Sequence, residues 1–171
     1  MIVIGIDPGL SGAVAVVNGS EIAVHDMPTL QIKNGKTKKN ILDVTTLAEM
    51  LRRYADGRAE AIVEQVHAMP GQGVSSMFNF GMSTGAVHGI LAALRIPFTT
   101  VSPVRWKKIM LPDMGKDKDA AVARALQLFP EVSSLLVSGK KKYDGRAEAL
   151  LMASYAIRTA SIGLVLADEE E

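Results

Sequence analysis

Residues 2–19 read IVIGIDPGLSGAVAVVNG, and this stretch decides how the rest of the chain is read. Apolar, β-branched residues run into Asp7, and Pro8, Gly9, Ser11 and Gly12 then break the line. AVAVV resumes at 13–17, Asn18-Gly19 carries a strong two-residue hairpin signal, and EIAVHDM follows at 21–27. The pattern predicts a three-stranded antiparallel meander whose first strand ends by delivering a carboxylate into a tight turn. Alone, Asp7 is also a good turn former. It carries chemistry only if other acids in the chain meet it.

Working outward, residues 28–42 (PTLQIKNGKTKKNIL) are polar and lysine-rich and read as a loop, one expected to touch a polyanionic partner. Asp43 is placed to cap a helix in which Leu47, Met50, Leu51 and Tyr54 share a face. AEAIVEQV at 59–66 reads as a buried strand centred on 61–64, and Gly71 and Gly73 mark a loop. A long helix is predicted from about Ser75 to Leu94, a strand after Pro97 and a short helix from Pro103. A further helix begins near Asp117 and stops at Pro130, and a basic loop leads to a final helix over about 145–162. The order implies an α/β fold: a mixed five-stranded sheet, three antiparallel strands then two parallel ones, flanked by helices. One domain is expected over residues 1–162, with 163–171 as an acidic tail.

With 171 residues, 48% of them hydrophobic and 22% charged, a single globular core is the natural expectation. There is no cysteine, which excludes disulfides, thiolate metal sites and cysteine nucleophiles. No secretory leader and no apolar run of membrane-spanning length is evident, so a cytoplasmic protein without a membrane partner is expected. The net charge of +1 hides an uneven distribution. The last four residues are all acidic, so the rest of the chain carries +5. Lysines cluster at 33, 36, 38 and 39, at 107 and 108, and at 140, 141 and 142. Each cluster is compatible with a solvated loop; together they fit a polyanion.

Glu64 ends the strand AIVE as Asp7 ends IVIGID. If these strands are parallel neighbours, both carboxylates leave one sheet edge, where ligands collect when strand order reverses. Asp144 and Glu148 lie four apart, on one face of the final helix. Asp144 also suits an N-cap, and Glu148 suits the first helical turn. Four carboxylates from three elements suit two hard divalent cations about 3.5–4 Å apart, the arrangement that cleaves phosphodiesters.

The segments IDPGLSGAVAVV, VEQVHAMPGQGVSSMFNFG and DGRAEALLMA resemble the RuvC-type Holliday junction resolvases of the RNase H-like superfamily, especially their phage-like branch. The resemblance covers the chain from Asp7 to about Arg158, in the family's order. It implies a magnesium-dependent endonuclease, with two Mg²⁺ per site and Mn²⁺ able to substitute. Such an enzyme works as a homodimer and nicks four-way junctions symmetrically; RNA–DNA hybrids, forks and flaps are the alternative substrates. By resemblance, Asp7, Glu64, Asp144 and Glu148 are the catalytic metal ligands. The last pair is spaced four apart here, where cellular relatives space two aspartates three apart. Resemblance also places Lys118, or its rival Lys116, together with Lys107 and Lys108, near the scissile phosphate. His67 takes the place of an aromatic that stacks on a junction base, with Phe78 a further DNA-facing candidate beside Lys140, Lys141 and Lys142. His25 and His88 are read as structural.

Overall fold

The computed structural model describes all residues except 35–36, 68–70, 72, 113–118 and 169–171, and gives no side-chain account of 34, 37 or 161–168. Strands β1 (Ile2–Ile6), β2 (Ala13–Asn18) and β3 (Glu21–Asp26) form the expected meander, and β6 (Ala59–Glu64) and β7 (Phe98–Val101) extend it. The five-stranded sheet has the order β3-β2-β1-β6-β7. β1 pairs antiparallel with β2, and β2 with β3. β1 runs parallel to β6, and β6 to β7, so the strand order reverses beside β1.

Between β3 and β6 come β4 (Thr29–Asn34), β5 (Thr37–Leu42) and α1 (Val44–Arg52). α2 (Val74–Ala93) crosses from β6 to β7, and α3 (Pro103–Met110) follows at once. α4 (Ala120–Leu128), a 3-10 turn (Pro130–Val132), α5 (Ser133–Leu136) and the short hairpin β8 (Val137–Ser138) and β9 (Lys141–Lys142) lead to α6 (Asp144–Asp168). Asp43 caps α1 as expected: its Oδ1 accepts the Thr46 N–H at 3.0 Å.

Strand parity divides the core into two layers. Val3, Ala13, Ala15, Val17 and Ile62 pack on the side covered by α3, α4 and α6. Ile4, Ile6, Val14, Val16, Ala61 and Val63 pack on the other side, against Leu47 and Leu51 of α1 and Val87 and Leu91 of α2. Asp7 shares the parity of Val3 and Gly5, and Glu64 that of Ile62. Both carboxylates are therefore directed to the α6 side.

Three expectations need correction. Residues 28–42 are not a loop: β4 and β5 pair antiparallel from Thr29↔Leu42 to Asn34↔Thr37. The Asp43 N–H closes the base of this hairpin on the Pro28 carbonyl at 2.9 Å. The lysines obscured an alternation of Leu30 and Ile32 with polar neighbours, and an Asn-Gly step at 34–35 like that at 18–19. The basic loop before the last helix contains β8 and β9, turned at Gly139 with φ +58°. The last helix runs to Asp168, not 162, and takes in part of the segment expected to be a tail.

Candidate active site

The edge of the sheet where β1 and β6 end is built by backbone contacts that only glycine allows. A Cβ on Gly12 would lie 2.2 Å from the Asp7 carbonyl oxygen and 2.6 Å from its Cγ. The turn therefore folds back tightly against the carboxyl group, and the Gly9 N–H donates to Asp7 Oδ1 at 3.1 Å. A Cβ on Gly145 would lie 2.6 Å from the Ser11 carbonyl oxygen. That absence lets the first turn of α6 sit directly on the β1–β2 turn, and it brings Glu148 to Asp7.

In the β1–β6 register Ile6 pairs with Val63, so Asp7 and Glu64 stand one step further along neighbouring strands. Adjacent strands lie about 4.8 Å apart. Ser102 Oγ accepts the Arg105 N–H and starts α3 with Pro103 in its first turn, immediately after β7. α3 then sends two side chains back over the edge. Buried Trp106 donates its indole N–H to Glu64 Oε1 at 2.9 Å. Lys107 Nζ lies 2.7 Å from Glu148 Oε1.

These groups form one electrostatic unit. Burial pushes the Asp7 carboxyl above its ordinary value and Glu148 adds to the push, while the Gly9 N–H and Lys107 oppose it. Burial likewise raises Glu64, with Asp7 and Glu148 raising it further; the Trp106 N–H and Lys107 pull it down. A buried group of like charges is expensive unless a cation lies among them. Among the described residues, Lys107 is the cation that interacts with these acids.

A cleft of about 500 Å³ opens beside this unit, lined by Asp7, Ser11, Asp26, Tyr143, Asp144 and Glu148 among others. Arg146 anchors its α6 wall. Its guanidinium donates to Asp26 Oδ1 at 2.6 Å and Oδ2 at 2.8 Å, and to the Leu135 carbonyl at 2.8 Å. It also lies 4.0 Å over the Tyr143 ring. A second concavity, along the edge of β7 beside Arg105 and Thr159, has Glu60 as its single acid among the described residues, and Asp7, Glu64 and Glu148 do not line it.

Asp7, Glu64 and Glu148 thus interact, with Lys107 among them. Asp144 lines the same cleft but is exposed at the start of α6. Among the described residues no three His, Asp or Glu side chains converge closely enough to hold an ion. The donor chemistry nonetheless fits a hard divalent cation: oxygen ligands only, two with raised pKa, and mutual repulsion relieved by a positive charge. Lys141 and Lys142 line the cleft, Lys142 paired with Asp119, and Lys140 is exposed in the turn before them. Lys108 is exposed on α3, His67 lies exposed just past β6, and Phe78 is 67% exposed on α2. Lys116 and Lys118 lie outside the described residues. His88 is half-buried and stacked on Phe98, ring centroids 4.9 Å apart. Residue patterns did not reveal Trp106, Asp26 and Arg146 as parts of the site; the sole tryptophan, directly before two lysines, was the available signal.

Sheet order and the helix cover on both faces give the RNase H-like fold seen in solved RuvC structures. The chain superposes on Thermus thermophilus RuvC with TM-score 0.57 at 16% identity, covering 95% of this chain and 97% of that one. It matches T. thermophilus RuvC in complex with Holliday junction substrate with TM-score 0.60 at 15% identity, covering 95% and 96%. The yeast mitochondrial Holliday junction resolvase Ydc2 gives 0.53 at 16% identity, covering 90% and 76%. In sequence, the chain is 35% identical over 95 residues to the chloroplastic Holliday junction resolvase MOC1 of Chlamydomonas reinhardtii. That match takes in 56% of this chain but spans only 10% of the curated relative's length. No family model matches. No helix among the described residues is long and apolar enough to cross a membrane.

Proposed function

We propose that this protein is a structure-selective endodeoxyribonuclease that resolves four-way DNA junctions. The observation that carries the reading is the unit of Asp7, Glu64 and Glu148, with Lys107, at one sheet edge beside the start of α6. Its likeness to junction-binding RuvC and to MOC1 supports the choice of DNA substrate. Asp7, Glu64, Glu148 and Asp144 would hold divalent cations, Mg²⁺ in the cell, with two per site. Bound there, such cations would supply an activated water and neutralise charge on the leaving oxygen. The chain's own contribution is positional. The tight turn at Gly9 and Gly12 fixes Asp7, the Trp106 indole fixes Glu64, and the Arg146–Asp26 bridge fixes the start of α6. Lys107, released from Glu148, would meet a phosphate oxygen. We assign the nuclease to one domain, residues 1–162, acting in the cytoplasm.

The test is nicking of a labelled four-way junction with Mg²⁺, Mn²⁺ or EDTA, beside duplex, fork, flap and RNA–DNA hybrid controls. Paired symmetric nicks that need metal are expected. Cutting confined to the hybrid would transfer the site to another substrate, and no cutting of any of them would end the nuclease reading.

Replacing Trp106 by Phe keeps an aromatic ring but removes the hydrogen bond to Glu64. The expected result is a nicking rate lower by about 10–100-fold, the usual scale for partners that orient a ligand. A melting curve taken beside the rate separates this from unfolding.

A homodimer supplies the two nicks. α2 exposes Val74 (79%), Phe78 (67%) and Met82 (59%), four residues apart on one face. On the same helix, a Cβ on Gly81, Gly85 or Gly89 would meet open space. An apolar ridge on a helix with such small residues suits close helix–helix contact between two copies. Met82→Glu should shift the protein from dimer to monomer in light scattering and replace paired nicks by slow single nicks. A variant still dimeric at micromolar concentration would move the interface elsewhere.

A further inference from the structure

A second groove opens next to the Asp7 cleft, between the β4–β5 hairpin and the start of α2. It encloses about 700 Å³, and its lining includes Gln31, Lys38, Lys39, Asn40, Asn79 and Phe80. Leu10 and Ser11 line both this groove and the Asp7 cleft, so the two spaces adjoin at the β1–β2 turn. We propose that this groove seats the sugar–phosphate backbone of one substrate strand as it leaves the cleft, with Lys38 and Lys39 as its phosphate contacts. The inference rests on the DNA-nuclease reading above and names a subsite for it.

Among the described residues the lining contains no carboxylate. It offers two ammonium groups, neutral amides, hydroxyls and one half-buried aromatic ring. Those are the groups that hold a nucleic-acid backbone and support an unstacked base. Hairpin register strengthens the case. Gln31 stands opposite Asn40, and Lys33 opposite Lys38, so these four share one face of the ribbon. Like charges directly opposite each other on a strand pair are destabilising. Among the described residues neither Lys33 nor Lys38 has an acidic partner. A polyanion lying along that face would relieve the repulsion. The groove is also held open in advance: Lys39 Nζ donates to Asn79 Oδ1 at 2.7 Å, a strut from the hairpin to α2. Phosphate oxygens can take over the remaining Lys39 donors without breaking it.

The test measures affinity for a labelled four-way junction by anisotropy in EDTA, across a salt series. The proteins are wild type, Lys38→Gln, Lys38→Gln/Lys39→Gln and Arg52→Gln/Arg53→Gln. The last removes the same charge from exposed positions at the end of α1. Each lost phosphate contact should lower the slope of log affinity against log salt by about 0.9. The single hairpin variant should therefore lose about one unit, the double about two, with affinity down roughly tenfold. Because Lys38→Gln leaves the Lys39–Asn79 strut in place and relieves the repulsion with Lys33, a melting temperature at or slightly above wild type is expected for it. Hairpin variants with the wild-type slope, or an equal loss in the arginine variant, would overturn the subsite while leaving the nuclease intact. A wild-type protein that does not bind the junction at all would remove the reading beneath it.

Discussion

Asp7→Asn should lower junction nicking by about a thousandfold or more and leave junction affinity in EDTA unchanged. The substitution removes one negative charge and almost nothing else. Asparagine keeps an oxygen for the Gly9 N–H that now bonds Asp7 Oδ1 at 3.1 Å, so the turn retains its shape. On the proposed reading it would leave the site without the anionic ligand expected from the end of β1. A bound metal contributes several kcal/mol of transition-state stabilisation, and each 1.4 kcal/mol or so is tenfold in rate. Stability should move the other way. In EDTA the variant should melt higher than wild type, because wild type must bury Asp7 charged beside Glu148. The sign follows from linkage: the folded carboxyl is raised above its ordinary 3.8, so the native state holds its proton more tightly than the unfolded chain. The destabilisation of wild type is absent at low pH and grows as pH rises through the raised value. The gap in melting temperature should therefore be widest at neutral pH and close as the solution is acidified. A variant that nicks at the wild-type rate would return Asp7 to the role of a turn former.

That Asp7 and Glu64 stand side by side was legible, because each ends an apolar strand and the strand order leaves few ways to arrange them. Apolar, β-branched runs marked β1, β2 and β6, and the Asn18-Gly19 step marked the turn between β2 and β3. What escaped depended on contacts across long stretches of chain. Trp106 reaches Glu64 over 42 positions, and Arg146 reaches Asp26 over 120. No local pattern encodes such partners. The resemblance implied a place near the scissile phosphate for Lys107, and in the folded chain it pairs with Glu148. The β4–β5 hairpin was hidden for a different reason: lysine weakens the strand propensity of the segment that carries it. Tight glycines were the least visible. Gly5 sits inside an apolar strand where alanine or valine would read equally well, and only the position of α6 shows why neither serves.

Gly5→Ala is expected to be the most damaging single change in the core, and Gly5→Val is expected to yield no soluble folded protein. A Cβ at Gly5 would lie 2.0 Å from the Ala149 carbonyl oxygen, 2.8 Å from the Ala153 N and 3.0 Å from the Ala149 carbonyl carbon. All three are backbone atoms, so no rotamer change relieves the clash. α6 must lift off β1, and with it a length of helix that buries Ala147, Ala149, Leu150, Leu151, Met152, Ala153 and Tyr155. Overpacking a tight core ordinarily costs about 1–3 kcal/mol, and a clash with helix backbone belongs at or above the top of that range. Against a total stability of about 5–15 kcal/mol, Gly5→Ala should lower the melting temperature by well over 5 °C. The same displacement has a chemical consequence. Glu148 precedes Ala149, so lifting α6 carries this carboxylate and Asp144 away from Asp7 and Glu64. Nicking per folded molecule should fall even at temperatures where Gly5→Ala remains folded, and excess Mg²⁺ should restore it only in part. If Gly5→Ala instead melts at the wild-type temperature, the close seating of α6 on β1 is not what holds the four acids at one edge.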